Sequence, residues 1–245
     1  MKADPQSQRR LLDLQAIDTS LAQLAHRRRT LPEFAELERL GKQLVALEDE
    51  RVRAQVAVDD LDRDISRIEK DVEQVRQRAE RDRARLDAGT GPAKELEALQ
   101  HELATLQRRQ GELEDAELEV MEQREQAQST LDDVLNRLEE VRQSRAQAEA
   151  RRDEALSELD KDTEWKRASR APLVADLPKD LVDLYEKIRE STGMGAALLR
   201  LGRCEGCRLE FSGAEKSRIR SAPPDEVIRC EECGRILVRT EESGL

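Results

Sequence analysis

The sequence predicts a mainly α protein, a long antiparallel coiled-coil helical hairpin followed by a small C-terminal β zinc ribbon, on three observations. Apolar residues recur at alternating three- and four-residue steps over two long stretches. A short glycine-containing segment separates those stretches. Four cysteines, the only ones in the chain, stand near the C-terminus as Cys204-x2-Cys207 and Cys230-x2-Cys233.

Composition alone admits either long helices or disorder. Charged residues make up 40% of the chain and aromatics 2%, far less aromatic surface than a globular core of this length uses. Periodicity decides. Positions 37, 40, 44, 47, 51, 54, 58, 61, 65, 68, 72, 75, 79, 82 and 86 step by three and four without a break, and all but Arg51 and Asp82 are apolar. A disordered polyampholyte has no such seam, so the stretch is an ordered helix. An earlier piece, Leu14, Ile17, Leu21, Leu24 and Leu31, keeps the rhythm up to Pro32, where the helix must kink or break. A second run extends from 96 to 159 in the same steps; its polar members are Gln110, Glu117, Arg124, Arg145 and Arg152. These side chains either reach solvent from a thin seam or fix register and recruit another chain. The first reading is the simpler.

Between the runs, Asp87-Ala88-Gly89-Thr90-Gly91-Pro92 halts the pattern. Gly89 can take the left-handed conformation that ends a helix, and Pro92 suits the first position of the next. Two amphipathic helices joined by so short a turn fold back on each other. A fold centred near residue 90 sets Pro32 opposite Gln147 and Pro5 opposite Val174, just past a helix stop at Pro172. The uninterrupted arm, 33–87, is roughly 80 Å long at the helical rise.

The expected organisation is a hairpin over 1–172 with its turn near 87–92 and a kink near 32, a connecting segment over 173–199, and a ribbon over 200–245. The connecting segment holds one amphipathic helix, 176–191, with Leu181, Leu184, Tyr185 and Ile188 as its stripe. Residues 196–201, 227–229 and 236–238 have strand composition. Gly206 and Gly234 allow the tight turns that aim backbone amides at thiolates.

Paired C-x2-C knuckles about twenty residues apart give four thiolates the reach to surround one tetrahedral Zn²⁺. Four protein sulfurs leave the metal no open position, which makes it structural rather than catalytic. Two disulfides are the competing reading, and a redox C-x2-C a third. The first residues, Met1 to Ser7, lack the apolar core of a signal peptide, and no run of eighteen apolar residues offers a membrane span. The expectation is therefore a cytoplasmic protein whose thiols stay reduced and bind zinc. The strand–helix setting of a redox motif is missing.

With these features in hand, the chain resembles a bacterial family of C4-type zinc-ribbon proteins with an N-terminal coiled-coil hairpin, over almost its full length. The resemblance rests on Lys94-Glu95-Leu96-Glu97-Ala98-Leu99-Gln100-His101-Glu102 after the turn and on Leu184-Tyr185-Glu186-Lys187-Ile188-Arg189. It rests also on Cys204-Glu205-Gly206-Cys207 and Cys230-Glu231-Glu232-Cys233-Gly234-Arg235-Ile236-Leu237. The Arg and Ala bias suits an actinobacterial, for instance mycobacterial, member. The resemblance implies zinc ligands at Cys204, Cys207, Cys230 and Cys233, an interaction tip at Lys94, Glu95, Leu99, Gln100 and Glu102, and no enzymatic activity. It also implies adaptor roles, since relatives are linked to flagellar or type III secretion machinery, alternative sigma factors and RNA.

Three functional classes follow. The first is a protein-interaction adaptor, whose rod separates two recognition ends and whose partners the sequence does not name. The second is RNA or DNA binding at the ribbon, through Lys216, Arg218, Arg220, Arg235 and Arg239, with Arg229 nearby and Phe211 to stack a base. Charge argues against a strong footprint: residues 200–245 carry nine basic and nine acidic side chains, and most of the net charge of −11 lies on the rod. The third is an enzyme. The only histidines, His26 and His101, lie far in sequence from the cysteines, and no phosphate loop, dinucleotide turn or nucleophile elbow is present. Asp87, Glu95 and Glu97 at the turn would suit a factor that presents carboxylates to a metal in a polymerase channel, but carboxylates are too common here to carry that idea. The expectation is a non-enzymatic zinc-ribbon adaptor with no membrane contact and no small-molecule substrate.

Overall fold

The computed structural model describes residues 1–244. Its elements run α1 (Pro5–Arg29), α2 (Pro32–Asp87), α3 (Ala93–Ala175), α4 (Lys179–Thr192), β1 (Ala196–Arg200), β2 (Arg203–Cys204), α5 (Gly213–Ser221), β3 (Ile228–Arg229), β4 (Ile236–Val238) and a final 3-10 turn, Glu241–Ser243. They form two compact units. One is Ala35–Glu149; the other joins Met1–Phe34 to the chain from Ala150 onward.

The unit 35–149 is a helical hairpin. The expected seam is the buried one: none of the fifteen seam positions on α2 is exposed, and on α3 only Arg145 is. Leu47, Val134 and Leu138 form its tightest cluster, with Leu44 and Val141 against it. The seam is narrow. Of the 56 residues of α2, only Leu40, Leu47, Val58 and Val72 are fully buried. Ion pairs bridge the arms on both sides of it, including Arg142–Glu48 at 2.7 Å and Arg137–Glu50 at 3.2 Å. Gly89 takes φ +60 as α2 ends, and the Pro92 carbonyl accepts the first amides of α3, so the proline precedes the helix by one residue.

Pairing is shifted from the mirror count about residue 90. Arg78 meets Glu102 near the turn, almost as counted. Farther out, Leu47 packs on Val134 and Leu138, where the count sets residue 132. Seam phase sets register, because each seam side chain must face a gap between seam side chains opposite. The loop midpoint does not.

The other unit is layered around a four-stranded sheet of order β2-β1-β4-β3, in which β1 and β4 are parallel and the other pairs antiparallel. Successive strand side chains face opposite sides. Ile236 and Val238 of β4 pack on Leu11 and Leu14 of α1 and on Leu181, Tyr185 and Ile188 of α4. Leu237 faces the other way, onto Phe211, Ile219 and two cysteines. All three residues of β4 are buried for this reason. Gly195 admits β1 beside α4, since a Cβ there would stand 2.4 Å from the Tyr185 ring. The N-terminal residues clasp the ribbon: Ala3 donates to the Asp225 carbonyl and Val227 to the Met1 carbonyl.

A partly buried ionic network, centred on buried Asp18, locks α1, α3 and α4 together. Arg170 donates from Nε to Asp18 Oδ1 (2.7 Å) and from Nη2 to Oδ2 (3.1 Å), and also bonds Glu186. Arg189 donates twice to Glu186, at 2.8 and 2.7 Å. Tyr185 donates its hydroxyl to Asp18 (2.7 Å), and Gln15 Oε1 accepts the Gly195 amide (2.8 Å). Two carboxylates and two guanidinium groups balance, so no charge is left buried alone.

Two elements depart from the sequence reading. Pro172 does not stop α3, which continues to Ala175. The proline costs only the bond its missing amide would make near the helix end. The Asp176 and Leu177 amides close that end on the Pro172 and Val174 carbonyls, and Val174 and Leu177 pack on the core. Helix α5 was not expected. It buries a single residue, Ile219, so it has no apolar period, but Ser212 and Glu215 form a capping box that is visible in the sequence.

Burial, with the hydrogen bond to Asp18, raises the Tyr185 hydroxyl far above its ordinary value near 10. The folded state then resists losing that proton while the unfolded chain gives it up. Its contribution is complete below about pH 10 and fades above it. Thermal melts should show stability level up to about pH 10 and falling above it, and Tyr185→Phe should have a flatter alkaline limb than the parent.

Candidate metal centre

Two knuckles of one construction build the cysteine site. In the first, the Arg208 amide donates to the Cys204 carbonyl (2.7 Å) and the Cys204 amide to the Leu209 carbonyl (3.0 Å). In the second, Gly234 donates to Cys230 (2.9 Å) and Cys230 to Arg235 (2.9 Å). The residue after each second cysteine is left-handed: Arg208 at φ 63 and Gly234 at φ 71. Glycine adopts this freely; arginine is strained there. Gly206 is required for space, since a Cβ would stand 2.7 Å from Arg235 Cδ and 3.0 Å from the Ala197 side chain.

The four Sγ atoms lie within 4.8 Å of one another, with Cys204–Cys233 and Cys207–Cys230 at 3.9 Å. A tetrahedron of sulfurs at zinc's bond length of about 2.3 Å has edges of about 3.8 Å. A disulfide requires about 2.05 Å, and all four cysteines are free. Cys204 and Cys230 are buried and Cys207 and Cys233 half-buried. Burial pushes the Cys204 thiol up to about 12 and raises Cys230. At Cys233, burial is outweighed by the Arg235 backbone amide and the neighbouring Cys230 thiol, which hold it down at about 7. Arg235 Nε is buried without a hydrogen-bond partner. A thiolate cluster around a dication supplies the negative charge this guanidinium lacks. The donor set, spacing and orphaned donor fit one structural Zn²⁺ with a full sulfur shell.

The remaining sequence candidates are dispersed. At the tip, Lys94, Glu95 and Gln100 are exposed, Leu99 is half-buried, and Glu102 pairs with Arg78. On the ribbon, Lys216 pairs with Glu210 and Arg218 with Glu231. Arg235 donates to the Thr192 carbonyl, and Arg239 donates to carbonyls of the loop 222–226 at distances from 2.6 to 3.1 Å. Arg220 is exposed and makes no ion pair among the described residues. The sequence reading missed the Asp18 network, which carries no spacing signal because Asp18 and Arg170 are 152 residues apart.

No helix of the described residues is long and apolar enough to cross a membrane. Comparison with known proteins agrees with this architecture. Residues 14–193 match the CT398-like coiled coil hairpin domain, and residues 203–237 match the C4-type zinc ribbon domain. The chain is 42% identical to an uncharacterized protein of Mycobacterium tuberculosis over 98% of both chains. It is 33% identical to one of Mycobacterium leprae, over 90% of this chain and 95% of the other. A solved structure from Mycobacterium smegmatis superposes with a TM-score of 0.85 at 40% identity, covering 98% of this chain and all of that one. CT398 of Chlamydia trachomatis shares the fold, with a TM-score of 0.65 at 17% identity over 95% and 97% of the two chains.

Metal analysis of protein purified without added zinc should give one zinc per chain. In chelator competition Arg208→Gly should hold zinc more tightly, by about 0.5–1 kcal/mol, because it removes left-handed strain from the first knuckle. Weaker retention would contradict that reading. The chain belongs to the CT398-like coiled-coil hairpin family and carries that family's hairpin together with a C4-type zinc ribbon.

Proposed function

We propose that this chain is a non-enzymatic scaffold of the cytoplasm that binds protein partners along its hairpin, at the hairpin tip and at the ribbon. One observation carries the proposal. The hairpin buries a single narrow seam, so nearly all of two long helices is spent on surface. A helix pair of this kind gains little core for its length; what it offers is accessible, patterned side chains. The exposed tip residues Lys94, Glu95 and Gln100 add a second recognition element. The zinc centre, with four sulfurs around it, serves to build the ribbon rather than to activate a substrate.

Nucleic-acid binding at the ribbon is less well supported. Four of its five candidate basic residues are engaged with the chain itself, Lys216 and Arg218 in ion pairs and Arg235 and Arg239 on carbonyls.

Affinity capture from a lysate of the host organism tests the scaffold reading. The parent should retain a defined protein set, and a variant with Lys94→Ala and Glu95→Ala at the tip should lose part of it. Recovery of nucleic acid in place of protein would reverse the assignment.

A further inference from the structure

The two flanks of the hairpin are chemically different. One flank consists of the residues directly after each seam position, the other of those directly before. Ion pairs confirm the division: Arg142–Glu48 and Arg76–Glu114 join residues that follow the seam, whereas Arg137–Glu50 and Arg78–Glu102 join residues that precede it.

Within 35–149, the exposed large apolar side chains are Val45, Val52, Val56, Leu118, Met121 and Leu135, at 43–66% exposure. Val56 lies on the outer face between the flanks. The other five all follow a seam residue, and none precedes one. Chance exposure would scatter them. On α3, Glu125, Gln128 and Asp132 of the same flank separate Leu118 and Met121 from Leu135, about 21 Å beyond Met121, so the apolar positions form two patches.

Charge divides along the same line. The after-seam flank, 38–87 and 97–149, carries fourteen Asp or Glu against three Arg. Two of those, Arg76 and Arg142, are already paired with glutamates of the same flank. The before-seam flank, 36–85 and 95–147, carries eleven acidic residues against eight Arg. Apolar patches set in so acidic a flank repel their own copy, because a second chain would bring the same carboxylates to the contact. They complement a helix with an apolar face and Lys or Arg at its edges.

We propose that the after-seam flank of the hairpin is a docking surface for a basic amphipathic helix of a partner protein, seated on Val45, Val52, Leu118, Met121 and Leu135. This rests on the scaffold reading above and names the partner's chemistry.

The probe is a fluorescent amphipathic peptide of about twenty residues with a leucine stripe and lysine edges, titrated into the full-length protein at near-physiological salt. A control peptide has glutamate in place of lysine. The parent should bind the lysine peptide and not the control. Val45→Ser/Val52→Ser/Leu135→Ser leaves the formal charge unchanged and should weaken binding at least tenfold. Ala46→Ser/Ala57→Ser, on the opposite flank, should leave it unchanged, and circular dichroism should show equal helicity in all three. Equal binding by parent and triple variant would reduce the effect to bulk charge and overturn the proposal. So would no binding by the parent, or a parent dimer that the triple variant dissociates, which would make a second copy the occupant. If host proteins are still captured through the tip or ribbon while the peptide fails, this proposal falls alone. If no protein is captured, the scaffold reading falls with it.

Discussion

A seam one stripe wide is the constraint on which the hairpin depends. Two helices can hide only the sides they turn to each other, so Leu40, Leu47, Val58 and Val72 are fully buried along α2 while their neighbours stay at the surface. Each buried leucine contributes about 1.5–3 kcal/mol by leaving water. The exposed interhelical ion pairs add at most about 1 kcal/mol each. Apolar burial therefore holds the arms together, and the ion pairs choose register and side. The same narrowness creates two independent flanks, which a globular core would have merged into its surface.

The second unit solves a different problem. A sheet of four short strands cannot sustain itself in water. Here β4 is sandwiched, with α1 and α4 against Ile236 and Val238 and the cysteine knuckles against Leu237. The ionic network of Asp18, Arg170, Glu186 and Arg189 fixes how the three helices meet on that sheet. Arg235 links the two halves of this unit. Its side chain packs over Gly206 of the first knuckle, and its Nη2 caps the Thr192 carbonyl at the end of α4. Metal occupancy and helix packing are thus joined through one side chain.

The parts of the fold that repeat were legible in the sequence. Period announced α2 and α3, glycine announced the turn at Gly89, and spacing announced the sulfur cage. Parts set by single long-range encounters were not. Nothing local marks Asp18 as the partner of Arg170, and the hairpin register follows from seam phase rather than from the loop. Arg239 read as a surface cation because its role, bonding carbonyls of the loop 222–226, appears only when β4 lies beside that loop. Pro172 read as a stop because its effect was judged from local chemistry without the packing of Val174 and Leu177. The flank asymmetry was present in the letters throughout, but it becomes visible only when each residue is counted from the seam.

The distance between the hairpin arms in solution tests the central claim most directly. Nitroxide-bearing noncanonical residues in place of exposed Arg67 on α2 and Glu119 on α3 leave the zinc-binding cysteines untouched. Pulsed dipolar spectroscopy should return one narrow distance near 20 Å, the helix separation of about 10 Å plus the reach of two side chains. A broad distribution, or a mean beyond about 40 Å, would mean that the arms do not share a seam, and the two flanks would then not exist as surfaces.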